Sequence, residues 1–282
     1  MKIALVTDST CDLPSDLISK HKIHVVPNIL IMDGDSVEDN KYFSRREFYQ
    51  KLPDMETFPT TSTASIGTYQ AQYERLIEDG YDRILSIHCS QVLSGIFNAA
   101  TSAAQPMKDK VTVIDSQQVS LGLGFQMLEA AEAITRGMSP ESIVDLLTNV
   151  RQREKLVAML DTLEYIRRSG RVSWAKARLG ALLNLKPFVE VKDGNVISLG
   201  EVRTRKKGMA RLLEMMRSPK PLQRFGVLHT NAEDDARKLL TNLAPKMQST
   251  PLVVNVTTAI GAHVGPNGLG FVALYQDETN QS

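Results

Sequence analysis

Hydroxyl-bearing side chains gather at three places in this chain, each placed where a strand should end. They are Thr7-Asp8-Ser9-Thr10, Pro59-Thr60-Thr61-Ser62 and Leu93-Ser94-Gly95. In an open α/β sheet, ligands bind beyond the carboxyl ends of strands, where loops and helix starts present free backbone N–H groups. Serine and threonine there donate hydrogen bonds to an anion without adding charge. The chemistry to expect is recognition of an acidic group.

The second group precedes a helical pattern over residues 65–79, so capping competes with binding as its role. One cap needs one hydroxyl. Thr60, Thr61, Ser62, Thr63 and Ser65 offer five. Ser94 does not sit in a G-x-S-x-G nucleophile elbow, since Val92 and Ile96 occupy the glycine positions. A fourth candidate, His263, lies in Gly261-Ala262-His263-Val264-Gly265-Pro266-Asn267-Gly268, a glycine-rich stretch expected to form a loop that brings backbone close to a ligand.

Other chemistries find less support. Leu121-Gly122-Leu123-Gly124 lacks the third glycine of a dinucleotide fingerprint, with Met127 in its place. No phosphate-binding loop, H-E-x-x-H pattern or metal-ligand cluster occurs, so neither metal nor cofactor is expected. Arg167-Arg168-Ser169-Gly170-Arg171 and Arg203-Thr204-Arg205-Lys206-Lys207 are the dense basic runs. They read either as solvated faces or as docking points for an acidic partner.

The elements that must hold these residues alternate between strand and helix through the first half. Strands are expected over residues 2–7, 24–32, 83–88 and 111–114. Helices are expected over 13–20, 44–51, 65–79, 95–104, 117–136 and 140–153, with Ser44 and Glu47 at capping-box spacing. Such repeats make a parallel sheet covered on both faces. After about residue 154 the pattern changes. Asp193-Gly194-Asn195 between two extended runs signals a hairpin, and helices are expected over 162–168, 174–183, 204–216 and 233–243. The fold class is therefore α/β with two α/β domains, 1–154 with a mainly parallel sheet and 155–282 with a mixed sheet.

Composition narrows the function classes. The chain has 282 residues, 42% hydrophobic and 23% charged, which is ordinary for a globular protein. A net charge of +1 gives no electrostatic case for nucleic acid. Two cysteines, Cys11 and Cys89, without C-x-x-C spacing point to a reducing compartment. The apolar run after Met1-Lys2 is too short for a signal peptide, and nothing later approaches a membrane span. A cytoplasmic location is expected, with transient membrane contact left open.

In their order along the chain these motifs resemble the DegV family, the fatty-acid-binding subunits of bacterial fatty acid kinase. The resemblance runs from Thr7-Asp8-Ser9 through Pro59–Ser62, Leu93-Ser94-Gly95, Asp115-Ser116, Gly170-Arg171, Lys186-Pro187 and Arg203-Thr204-Arg205 to the stretch 263–268. It implies a long-chain fatty acid between the two domains. Its carboxylate would be held at Thr61 or Ser62, at Ser94-Gly95 and near His263. It further implies presentation of that carboxylate to a separate kinase, with Arg203 and Arg205 facing solvent for docking and Arg171 in the same role. Ile96, Thr63-Ala64, Ser169 and Asn267 depart from the family's usual residues. On this view the chain is a lipid-binding and presenting protein, not an enzyme. Two alternatives are an acyl hydrolase using Ser94 with His263 as base, and a nucleotide-binding oxidoreductase using Gly122 and Gly124.

Overall fold

The computed structural model of this protein describes residues 1–39, 41, 44–176, 185–218, 220–242 and 250–277. Among the described residues thirteen strands form three sheets. The first is wholly parallel, in the order β2-β1-β6-β7, from β1 (Ile3–Asp8), β2 (Ile23–Val26), β6 (Arg83–His88) and β7 (Val111–Asp115). β1 and β6 read as continuous apolar runs and are buried almost throughout, as strands covered on both faces must be.

The second sheet is mixed and ordered β10-β9-β8-β13-β11-β12. It contains β8 (Glu154–Met159), β9 (Lys186–Lys192), β10 (Asn195–Val202), β11 (Leu222–His229), β12 (Leu252–Asn255) and β13 (Leu269–Tyr275). β9 and β10 form the expected hairpin, turning through Asp193 and Gly194, both at positive φ. β11 and β12 are parallel; the other pairings are antiparallel. The two α/β domains read from the sequence are therefore present.

A third, small antiparallel sheet was not expected. It is ordered β4-β3-β5, from β3 (Ile29–Met32), β4 (Asp35–Glu38) and β5 (Thr60–Ser62). The run 24–32, expected as one strand, is two strands in different sheets. Pro27 has no N–H to donate and falls at the break between them. Asp33-Gly34 then makes a two-residue turn, with φ of 51° and 89°, that folds β4 back on β3. The residues Thr60–Ser62 consequently lie in a strand rather than at a helix start. The helix Ile66–Glu78 is capped by Ser65, whose side chain accepts from the Thr68 N–H. Of the expected helix over 174–183, Ser173–Lys176 is helical, and 177–184 lie outside the described residues; the expected end of the 233–243 helix, Leu243, lies outside them as well.

One helix unites the two large sheets. Leu121–Thr135 is buried on nearly every side, and its Leu121, Phe125 and Leu128 join a core that reaches from Val6 and Ile87 to Leu228 and Val272. A Cβ at Gly124 would stand 2.6 Å from the Cys11 carbonyl oxygen, so glycine there permits helix against loop. Gly122 and Gly124 lie buried inside this helix and not in a loop before it, so they do not form the phosphate-cradling turn that the nucleotide-binding alternative needs. From the second sheet, Arg224 of β11 reaches Glu129 at 2.7 Å and Glu132 at 2.6 Å on this helix and its edge. Among the described residues, no helix is long and apolar enough to cross a membrane.

Candidate functional site

The first polar group proves to be wiring. Asp8 ends β1 fully buried and accepts hydrogen bonds from the Thr10 N–H (3.0 Å), the Thr10 hydroxyl (2.5 Å) and the Cys89 N–H (3.1 Å). It also accepts from the Asn28 side-chain amide at 3.4 Å and meets His88 Nδ1 at 3.1 Å, and His88 Nε2 meets Ser86 Oγ at 2.7 Å. This has the connectivity of a Ser-His-Asp relay, but Ser86 and His88 are completely buried and Ser86 also bonds the Tyr73 hydroxyl. It braces the ends of β1 and β6, and only Thr10 of the group reaches the cavity below.

That cavity, of about 380 Å³, takes its wall from both domains. Ile96 contributes from the first, and Leu156, Leu160, Val189 and Leu228 from the second. Its volume lies in the range of small-molecule sites, about 300–1,000 Å³, which are mostly apolar with a few placed polar groups. Thr61, Ser62, Ser94, Gly95, His263 and Arg171 all line it. Residues as distant in sequence as Thr61 and His263 are thereby brought together, with Thr61 Oγ1 and His263 Nε2 2.7 Å apart.

Each polar group is placed by a local reason. Thr61 is at the centre of β5, paired with Leu30 of β3. Because Ser65 caps the following helix, the hydroxyls of Thr60–Ser62 are released from that duty. Ser62 is exposed and donates to the Thr63 carbonyl at 3.3 Å. Ser94 lies in the turn after β6, and Gly95 occupies the N-cap of the helix Ile96–Ala104. No side chain caps that helix, and its start, Gly95 and Ile96, lines the cavity. Unsatisfied N–H groups and the positive end of a helix dipole favour an anion.

His263 is not in a loop. It sits in the last turn of a helix, Thr258–Val264, that precedes Gly265 at φ 77°. Burial, and secondarily the positive charge of Arg171, push its imidazole down to about 4. At neutral pH the ring is therefore uncharged and serves as a hydrogen-bonding group. Arg171 follows Gly170, whose φ of 73° turns the chain after the helix Glu164–Ser169. It is exposed yet lines the cavity, so it stands at the mouth.

Two expectations need correction. The hydrolase alternative uses Ser94 with His263 as base. Among the described residues His263 Nε2 is engaged by Thr61, and no hydrogen bond joins it to Ser94. Arg205 was expected to face solvent freely. It is instead tied down, to Asp235 at 2.7 Å, to the Asn267 carbonyl at 2.7 Å and near Asp161 at 3.8 Å. Starting the helix Arg205–Met216, it fastens that helix to the loop before β13, because acidic residues from two other segments converge there. Arg203, one residue before the Thr204 cap, is exposed. Among the described residues no cluster of acidic, histidine or cysteine side chains could hold a metal ion.

Sequence reasoning missed Asn28 and Ser120, which also line the cavity. Asn28 follows the Pro27 break that ends β2, and that break was the available signal.

A family model described as "Uncharacterised protein, DegV family" matches residues 2–276. This chain belongs to the DegV family. Protein DegV of Bacillus subtilis is 34% identical over 277 residues, covering 96% of this chain and 98% of its own. Among solved structures, a DegV family protein from Thermus thermophilus, described as fatty acid binding, superimposes with a TM-score of 0.89 at 34% identity, covering 98% of this chain and 100% of its own. The structure of DegV from Bacillus subtilis, described as a fatty acid binding protein, gives a TM-score of 0.86 at 32% identity over the same shares. The DegV fold thus extends over nearly the whole chain.

Proposed function

We propose that this chain binds one long-chain fatty acid between its domains, 1–154 and 155–282, and presents the carboxylate to a separate fatty acid kinase that makes the acyl phosphate. The observation that carries this reading is the apolar cavity lined from both domains, into which Thr61, Ser94 and His263 bring neutral hydrogen-bonding groups. The DegV relatives described as fatty acid binding support it.

The energetics fit such a ligand. Burying about fourteen methylenes at ~0.8 kcal/mol each is worth roughly 11 kcal/mol before the costs of association and ordering. The tail therefore drives affinity. The head needs only enough donors to offset desolvation of the carboxylate, which costs several kcal/mol when unpaired. The Thr61 and Ser94 hydroxyls and the uncapped helix start Gly95-Ile96 supply donors, while the neutral His263 ring orients Thr61. Arg171, at the mouth, adds a positive charge that an entering carboxylate would meet first.

In this reading the chain works in the cytoplasm with a kinase as its partner and carries out no chemistry itself. Arg203 and Arg171 are the exposed arginines for that docking, and Arg205 supports them from within the fold. The test is mass spectrometry of an organic extract of purified protein, followed by calorimetric titration of the delipidated protein with fatty acid. About one equivalent of a long-chain acid is expected. Recovery of no lipid together with no heat of binding would defeat the reading.

A further inference from the structure

The helix that carries His263 is held at its leading end by two carboxylates from the other domain, Asp12, which accepts from the Thr257 N–H at 2.8 Å, and Asp39, which gathers most of the contacts. Asp39, which follows β4 and is 6% exposed, accepts from the Ala259 N–H at 3.2 Å and from the Thr258 hydroxyl on Oδ1. Its Oδ2 accepts from the Thr257 hydroxyl at 2.6 Å and the Ser9 hydroxyl at 2.5 Å. An ordinary helix cap satisfies one or two N–H groups. Here four donors from two distant segments converge, which fills the acceptor capacity of a carboxylate.

Two further contacts hold the same helix. The Tyr49 hydroxyl donates to the Val256 carbonyl at 2.9 Å. Its ring lies against Gly261, where a Cβ would stand 2.5 Å from the phenol oxygen. The trailing end is met by Thr61 of β5 through His263. Asp39 follows β4 and Thr61 lies in β5, and both strands flank β3 in the small sheet. The Thr258–Val264 helix thus spans two points attached to one small sheet, although its own sequence belongs to the other domain.

We propose that Asp39 is a positioning residue for the carboxylate site, fixing through the Thr258–Val264 helix where the His263 ring stands relative to Thr61 and Ser94. The proposal rests on the reading of that site as the carboxylate site. Asn at position 39 would put an NH2 group where two donors now point. Ser9 Oγ already accepts from the Asn28 N–H and the Asn28 side-chain amide, both at 3.1 Å, so it has little capacity to accept a third. The helix start must then shift, and His263 with it. The low titration of His263 comes from burial and from Arg171, with no contribution from Asp39. A change in that titration therefore reports movement of the ring rather than loss of a charge.

The test uses Asp39→Asn and, as a milder second variant, Thr258→Val, which deletes one of the four donors. Ring titration of His263 is followed by NMR in delipidated protein, and fatty acid affinity by calorimetry. In Asp39→Asn the His263 midpoint should rise from about 4 by about one pH unit as the ring gains water. Affinity should fall about tenfold, and the His24 titration should stay in place. Thr258→Val should move both in the same direction by less, and it decides alone if Asp39→Asn does not fold. An unmoved His263 midpoint in the folded variants overturns the proposal whatever happens to stability, since a merely structural cap would leave that ring where it is. If wild-type protein binds no fatty acid, the functional reading falls, while the His263 titration still decides the role of Asp39.

Discussion

Thr61 Oγ1 and His263 Nε2 lie 2.7 Å apart across 202 positions of sequence, joining the small sheet of the first domain to a helix of the second. Thr61 has one hydroxyl proton and two lone pairs. With His263 as its partner, its orientation toward the cavity is set before any ligand arrives. Thr61→Val keeps the shape and removes both roles. Fatty acid binding should weaken about fivefold, the equivalent of roughly 1 kcal/mol for one neutral hydrogen bond. Equal affinities in calorimetry would place the carboxylate elsewhere in the cavity.

The neutral His263 ring makes stability depend on pH in a defined direction. Its titration is depressed from 6.5 to about 4 in the folded chain. As pH falls below 6.5 the unfolded chain takes up the proton first. The stability due to the neutral ring is therefore complete above pH 6.5 and drains away down to about pH 4. The amount at stake is at most about 3 kcal/mol. His263→Gln should flatten the pH dependence of urea unfolding between those limits. Parallel curves for the two proteins would show that the ring is hydrated in solution.

Arg203 and Arg205 should separate cleanly. Arg205→Ala breaks the links to Asp235 and to the Asn267 carbonyl and should lower stability by about 1–2 kcal/mol. Arg203→Ala, at an exposed bend, should stay within ~0.5 kcal/mol of wild type. With a cognate kinase, Arg203→Ala should keep its fatty acid and lose acyl phosphate formation. Normal phosphorylation of that variant would remove Arg203 from the docking surface.

Affinity should follow the tail. Each pair of added methylenes should tighten binding about tenfold, from ~0.8 kcal/mol per buried CH2, until the apolar wall is covered. A saturated series from eight to eighteen carbons, titrated by competition, measures this directly. A flat series would mean that the tail lies outside the cavity.

Much of this was readable from the sequence, for identifiable reasons. Continuous apolar runs marked β1 and β6, and Asp193-Gly194 marked the β9–β10 hairpin, because local composition decides such elements. Thr61, Ser94 and His263 could be singled out as polar residues at element ends. The small sheet escaped because its strands are three or four residues long, and one of them is hidden in the run 24–32 that reads as a single strand. The helix around His263 escaped because glycines at 261, 265 and 268 imitate a loop. Gly261 is in fact required by the Tyr49 ring pressed against it. Asp39 and the ties of Arg205 had no local signal, since their partners lie 30 to 220 positions away.

The helix Leu121–Thr135 carries one more implication. Its apolar side chains are shared by the parallel and the mixed sheet, so neither half keeps a complete interior when the other is removed. Two domains in architecture are then one unit in cooperativity, and severed halves would each expose a wide apolar face. A lipid held in the cavity, as proposed, would not be released by swinging the halves apart, because that motion would break the shared interior. On the proposed reading, smaller displacements at the cavity mouth near Arg171 would be enough for exchange while the shared interior stays intact.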